Sequence, residues 1–502
     1  MTTTPDPEKK TIEPDIFIER KEDLLVSTPK LSVFKTAITF WRVSLIGILV
    51  SFGAIFDCFA LIVPNNVVGN PGFIQQFGTV RGPTGEIVAL NPSTLSNWNL
   101  VTSLGTFIGL GIGNMVSDRF GRKIAFYATT LTLIVAVVLS LTANNGTAWG
   151  ARGAFAGISQ GLLQCSLIPY LGEIAPPRVR GAFLSGYSFF WNLGTLVGGI
   201  ALYITTESDP LDYKRVFYAQ FVFLGVFAAG LVVAPESPWW LTRHGHKDKA
   251  IRALERLYGH VSFYDVELEY QTILTTIEAE RSQSSLNAQS SDWRMYLDCF
   301  KGTNRRRTFV ACVPILTQAF SGVVLFFGYT VYFFQQAGYA QPFQANLIFA
   351  GVCLLGIVAS FFVLDSIGRR PVLILGATIC CACCWALGGL GFKEDNSGPG
   401  LVLVACIWVF FFSASISPMG YNYVAEIPTQ RLRSKVAAIA FGLYAAINLV
   451  YAYIVPYMLS PLEWGWGLKT GESVAIDWHF GLTSQQVYSL ALFAHWARLH
   501  LA

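Results

Sequence analysis

Charge is what this chain has least of. Only 13% of its 502 residues are Asp, Glu, Lys or Arg, against 53% hydrophobic, and its mean hydropathy is positive. That is too little polar surface to cover a water-soluble globule of this size, so the chain is a membrane protein. The net charge is only +4, and no basic stretch is interleaved with aromatics, which excludes nucleic acid as a partner. The N-terminus, "MTTTPDPEKKTIEPDIFIERKEDLL", lacks the apolar core of a cleavable signal peptide and reads as a disordered cytosolic tail. The ten cysteines sit mostly in apolar runs such as "CCACC" at 380–384, where no His or acid completes a ligand set. They read as small buried hydrophobes, so neither a metal nor a cofactor is implied. Nothing in the chain implies covalent chemistry, and no enzyme is expected.

What the chain has in abundance is apolar runs of about 20 residues, the length that crosses a bilayer. Six fall near 40–64, 96–117, 124–142, 147–172, 183–205 and 216–234, and five more near 308–334, 344–364, 371–391, 400–424 and 436–459. Between the sets lies a polar segment in which "HKDKAIRALERLYG" places Ala250, Leu254 and Leu257 on one helical face. The expected layout is a tail over 1–39, six spans over 40–235, a cytosolic helical linker over 236–307, five spans over 308–470 and an atypical segment over 471–502. With the N-terminus inside, 28 of the 35 Lys and Arg fall on the cytosolic side and five on the other, which sets the orientation.

The scarce charges recur in order. Asp118, Gly121, Arg122 and Lys123 return 247 residues later as Asp365, Gly368, Arg369 and Arg370, each set just after the second span of its half. Glu173 and Arg180 return at an offset of 253 as Glu426 and Arg433. The chain therefore reads as two copies of a six-helix unit, the pattern of secondary transporters whose halves rock about a central site. Charges that latch the cytosolic side by pairing across the halves would need to be worth a few kcal/mol, so that they can break. Short loops carrying charge for topology alone is the plainer alternative.

Two charges lie within spans. Asp57, in "SFGAIFDCFALIV", sits in the first, where an ionised carboxylate is costly unless paired or protonated. Arg152, near the outer end of the fourth, is the one basic residue inside a span, and a pair between them is the economical expectation. A purely structural ion pair is the alternative. Gln318 and Tyr329 in the seventh span, Tyr421 and Asn422 in the tenth and Asn448 in the eleventh supply the hydroxyl, amide and aromatic groups a sugar pocket needs. They serve equally well as helix–helix hydrogen-bond partners. Gly105, Gly109 and Gly113, and Gly194, Gly198 and Gly199, have the spacing of close helix contacts. Asn145 begins an Asn-Gly-Thr glycosylation pattern, in a loop too short to favour modification.

The motifs "DRFGRK", "YLGEIAPPRVRG", "PESPWWL", "DSIGRR" and "YVAEIPTQRLRSK" together resemble the sugar porter family of the major facilitator superfamily, over about residues 40 to 470. Within it, "PESPWWL" and "FFGYTVYFFQQAG" are most similar to fungal maltose and general alpha-glucoside permeases. The resemblance implies an all-α membrane fold of two six-helix bundles, its twelfth span aberrant or missing here. It also implies a cytoplasmic gating network of Asp118, Arg119, Arg122, Glu173, Arg180, Glu236, Asp365, Arg369, Glu426 and Arg433. Asp57 and Arg152 match the proton-coupling pair, though "FG" is followed by "AIFD" where the family has "YD". The family's hexose-binding amides are half kept. Thr317 and Gln318 stand for its paired glutamines, Val324 for an Asn, Ser188 for a Gln and Tyr421 for a Trp, while Asn448 remains. This implies a roomier pocket suited to a disaccharide. The expected function is proton symport of an alpha-glucoside such as maltose by a monomer in the plasma membrane, with sugar, proton and lipid as its partners. A hexose or polyol facilitator, a nutrient sensor or a truncated inactive paralogue are the alternatives.

Overall fold

The computed structural model describes residues 33–81, 87–176, 180–261, 264–286, 296–336, 339–390, 398–428 and 432–460. The atypical segment 471–502 and most of the expected tail lie outside them. The tail's last residues, Val33–Thr39, form a short helix rather than a disordered strand of chain.

Six long helices make up the first half: α1 (Trp41–Asn66), α2 (Pro92–Phe120), α3 (Arg122–Thr142), α4 (Gly146–Ile174), α5 (Arg180–Ser208) and α6 (Arg215–Val233). Their starts are written locally. Asn91 accepts from the Ser93 N–H at 2.9 Å, with Pro92 as first helical residue, and Asn145 accepts from the Ala148 N–H at 3.0 Å. The Asn145 side chain is thus a helix cap. Between α1 and α2 the chain forms a short helix, Pro71–Phe77, and a two-stranded antiparallel pair, β1 (Val80–Arg81) and β2 (Ile87–Ala89), the one departure from an all-α reading among the described residues.

The polar segment holds α7 (Pro238–Arg243), α8 (Lys247–Tyr258) and α9 (Val266–Leu286). Ala250, Leu254 and Leu257 are buried as their spacing requires, in one cluster with Phe40, Val43, Tyr170 and Ile174. The Tyr258 hydroxyl donates to the Ile174 carbonyl at 2.6 Å, fastening the linker under the first half.

Second-half helices follow. The seventh span, expected to be continuous, is broken into α10 (Gly302–Phe320), α11 (Val323–Gly328) and α12 (Thr330–Gln336). Gly322, at φ +84°, turns the chain left-handed between the first two. Then come α13 (Pro342–Ile367) and α14 (Arg369–Leu390). The tenth span is α15 (Gly398–Phe411) and α16 (Ser417–Glu426) joined by a π-helical turn, Phe412–Ile416, and α17 (Arg433–Leu459) is last.

Among the described residues nine helices are long and apolar enough to cross a membrane. The two expected spans outside that set are α4 and the broken seventh. The polarity of α4 is tolerated because Arg152, Ser159 and Ser166 are buried against other helices instead of facing lipid. Helix contacts are close where glycines allow. A β-carbon at Gly105 would meet the Ala154 carbonyl carbon at 3.2 Å, and one at Gly157 would collide with the Thr102 carbonyl oxygen. Helices α2 and α4 therefore pack backbone to backbone along the expected stripe. Helix α5 packs against α13 and α2 against α17, bringing the two sequence halves together.

Gly121 and Gly368, equivalent in the repeated motif, share one backbone shape. They hold φ/ψ of 108°/162° and 90°/157°, a region essentially open to glycine alone, at equivalent corners between consecutive helices.

Candidate transport site and its gates

The first charged corner closes on itself. Arg122 Nη1 donates to Asp118 Oδ1 at 2.8 Å and to Ser117 Oγ at 2.6 Å, and Nη2 to Glu173 Oε1 at 3.0 Å, joining the ends of α2, α3 and α4. Glu236, after α6, accepts from the backbone N–H groups of Arg122 (2.9 Å), Lys123 (3.1 Å) and Ser237 (2.9 Å). It thereby caps α3 from a distant part of the chain. Burial pushes the Glu236 carboxyl above the ordinary glutamate range, against the pull of these donors. Trp240 Nε1 donates to the Asp118 carbonyl at 2.8 Å, so α7 belongs to the same corner.

The expected pairing of these charges across the halves is not what Arg122 does. Its donors go to Asp118 and Glu173 of its own half. Arg119 is exposed, over the Phe120 ring at 5.7 Å, and Arg180 and Arg369 are also exposed. The side chains of Asp365, Glu426 and Arg433, and of the expected pocket residues Tyr421 and Asn422, lie outside the described residues.

Asp57 and Arg152 are both buried but do not pair. Neither carboxylate oxygen of Asp57 has a hydrogen-bond partner among the described residues. Arg152 Nη1 instead donates to the Ala60 carbonyl at 3.2 Å, one turn further along α1, and its guanidinium lies 4.8 Å from the Trp149 ring centre. The expected ion pair is corrected to two separate buried groups on facing helices.

At the end opposite the charged corner, hydrogen bonds cross between the halves. Asn99 Nδ2 of α2 meets the Tyr329 hydroxyl, which donates to the Ala452 carbonyl of α17 at 3.2 Å. Ser96 Oγ donates to the Tyr453 carbonyl at 2.7 Å, and the Val331 N–H to Asn66 Oδ1 at 3.1 Å. Tyr329 is therefore a joint between helices here, not an open pocket wall. Deeper in the seam, Cys353 of α13 meets Asn192 Oδ1 at 2.7 Å and Ser413 Oγ of the π-helical turn at 3.1 Å. Gln318 is buried, and its Oε1 has no partner among the described residues. That oxygen faces Gly420, where a β-carbon would come within 2.8 Å of it. Asn448 Nδ2 is bonded back to the Tyr444 carbonyl at 2.8 Å, and Ser188 is half-buried on α5.

A model of the family described as sugar (and other) transporters matches residues 66–476. The chain belongs to that family. Among curated relatives, the general alpha-glucoside permease of Saccharomyces cerevisiae (strain S288c) is 30% identical over 446 residues, covering 86% of this chain and 70% of the relative. Maltose permease MAL61 of Saccharomyces cerevisiae is 30% identical over 415 residues, covering 80% and 66%. In solved structures, the partially occluded inward-open xylose transporter XylE of E. coli superposes with a TM-score of 0.68 at 18% identity, over 89% of this chain and 99% of that one. This protein is thus a secondary transporter of the sugar-porter type with the major facilitator fold.

Within this sugar transporter, sequence reasoning missed Asn66, Asn99, Asn192 and Trp149. The three asparagines lie in apolar spans and carried the same signal as Gln318, a costly amide with no local reason to be there. Trp149 was hidden because an aromatic at a helix end is ordinary in a membrane protein.

Proposed function

We propose that this sugar transporter imports an alpha-glucoside such as maltose by proton symport, its two six-helix bundles alternating around the seam between them. The substrate class is supported by the relatives named as general alpha-glucoside and maltose permeases. It agrees with the loss of amides at Thr317, Val324 and Ser188, which leaves room beyond a single hexose. The charged corners face the cytosol of a plasma-membrane protein that works as a monomer.

Buried Asp57, with neither oxygen bonded, is the observation that carries the coupling. An ionised carboxylate so placed costs several kcal/mol, and the neutral acid fits those surroundings. A proton arriving at Asp57 frees Arg152, and proton loss draws it back, which links the charge state to the α1–α4 contact. Sugar hydroxyls enter the seam and donate to Gln318 Oε1, the buried acceptor left without a partner. Asn448, Tyr421 and Asn422 complete the wall. With Asn99, Tyr329 and Ser96 joining the outer end, the arrangement is the inward-facing half of the cycle. Closure of the inner corner then requires Arg122, Glu173 and Glu236 to change partners with Asp365, Arg369, Glu426 and Arg433. Each such exchange is worth a few kcal/mol, within what sugar and proton binding supply.

Uptake of radiolabelled maltose in a transporter-null cell, with and without a protonophore, tests this. Asp57→Asn is expected to abolish uphill accumulation while exchange continues. Accumulation by the variant, or wild-type accumulation insensitive to the protonophore, means uncoupled facilitation and sinks the assignment.

A further inference from the structure

We propose that Trp149 is the resting partner of Arg152, a positioning residue that holds the guanidinium away from Asp57 whenever the carboxyl carries its proton. The inference rests on the coupling reading above and adds the second position that such a switch requires.

Three observations converge on it. First, the Arg152 guanidinium lies 4.8 Å from the Trp149 ring centre, within cation–π reach, and Nη1 donates to the Ala60 carbonyl at 3.2 Å. Second, Ala60 follows Asp57 by three residues on α1, so the two sites differ by just under one helical turn, about 4.5 Å along the axis. A step of that length is within the reach of a long, flexible arginine side chain changing rotamers. Third, Trp149 cannot follow. Its ring is buried among Phe73, Phe77, Trp98 and Phe217, with centroid distances of 4.8, 5.6, 6.3 and 5.9 Å.

The direction is set by the backbone. Side chains on a helix lean toward its N-terminus, and Trp149 lies one turn N-terminal to Arg152 on α4. The resting position is therefore the relaxed one, and the Asp57 position is reached only when a carboxylate charge draws the guanidinium the other way. Several titratable groups on the packed elements already have partners, Arg215 at the start of α6 with Asp212 at 2.8 Å and Asp209 at 3.5 Å among them. Cys58 Sγ is tied to Thr195 Oγ1 at 3.2 Å, and the Tyr213 hydroxyl, ahead of α6, to Gln76 Oε1 at 2.8 Å. The charges of α2 and α3, Asp118 to Lys123, sit at the opposite end of those helices.

Without the indole face, the resting position weakens and the Arg152–Asp57 pair gains, so a higher proton concentration is needed to break it. The test is the pH dependence of maltose accumulation for wild type, Trp149→Leu and Trp149→Phe, each scaled to its own maltose exchange rate. Trp149→Leu is expected to move the half-maximal pH toward acid by about half a unit to one unit, and Trp149→Phe by less. A Trp149→Leu profile superposing on wild type overturns the inference. If that variant does not reach the membrane, Trp149→Phe decides alone, and an unmoved profile overturns it. Combining Trp149→Leu with Asp57→Asn separates the two layers. The exchange profile should match that of Asp57→Asn alone, and a shift persisting in the double variant refutes action through Asp57. Should Asp57→Asn itself still accumulate maltose, it is the coupling reading that has failed.

Discussion

Replacing Glu236 separates the part a charge plays at the inner corner from the part an acceptor plays. Its carboxylate receives the N–H groups of Arg122, Lys123 and Ser237, the first two being among the donors that the start of α3 leaves unused. Glu236→Ala orphans all three. At about 1 kcal/mol for each donor at this half-buried site, the loss is roughly 3 kcal/mol. Glu236→Gln keeps one oxygen, the one serving Arg122 and Ser237, and is expected to cost about 1 kcal/mol. Burial raises the Glu236 carboxyl above its unfolded value, so the folded protein takes up this proton more readily than the unfolded chain. Its contribution is full below the ordinary glutamate range and declines as pH rises through the folded value. Wild type should therefore gain stability from this group as pH falls from neutral toward that range, and Glu236→Gln should lack the increment. Thermal unfolding of detergent-purified protein reads this through a thiol-reactive dye, since Cys58, Cys312, Cys353 and Cys380 are buried until the helices separate. Gln as damaging as Ala would mean that the charge matters and the acceptors do not. Ala indistinguishable from wild type would refute the capping argument altogether.

Other outcomes follow from single contacts. Gly121→Ala should destabilise by about 2–3 kcal/mol in the same unfolding assay, because its φ of 108° is strained for any side chain and its β-carbon would lie 2.5 Å from Glu236 Oε2. Gly368→Ala, strained alike at φ 90° but with nothing within 4 Å among the described residues, should lose only about 1–2 kcal/mol. Equal losses would show that the contact with Glu236 is immaterial. Tyr329→Phe removes the hydroxyl between Asn99 and Ala452, about 1–2 kcal/mol of the outer joint, and should raise the outward-open population about tenfold. Labelling of Ser96→Cys by an impermeant maleimide should quicken accordingly in the Tyr329→Phe background, and unchanged labelling would count against the joint. Gly157→Leu, opposite the Thr102 carbonyl, should prevent α2 and α4 from packing and leave little folded protein by size-exclusion chromatography.

The repeat at Gly121 and Gly368 was legible because a backbone shape that only glycine adopts leaves glycine in the sequence. The α2–α4 stripe was legible for the same reason, since close backbones exclude side chains. The membership of Arg122, Glu173 and Glu236 in one corner was carried by motif resemblance, but their actual partners were not. The break in the seventh span had a signal in Gly322 and Gly328, which an apolar run of that length conceals.

Alone, the amino-acid sequence determined that the chain lies in a bilayer, where nine of its described spans run and that charged and glycine motifs recur along it. Those properties depend on local composition and on the backbone freedom of single residues. Tertiary structure decided that Arg152 turns to Trp149 and Ala60 rather than to Asp57, that Tyr329 joins α2 to α17, and that Arg122 binds within its own half. Each is a choice among partners far apart in the chain, and a buried polar group takes whichever donor or acceptor the packed helices bring within about 3 Å.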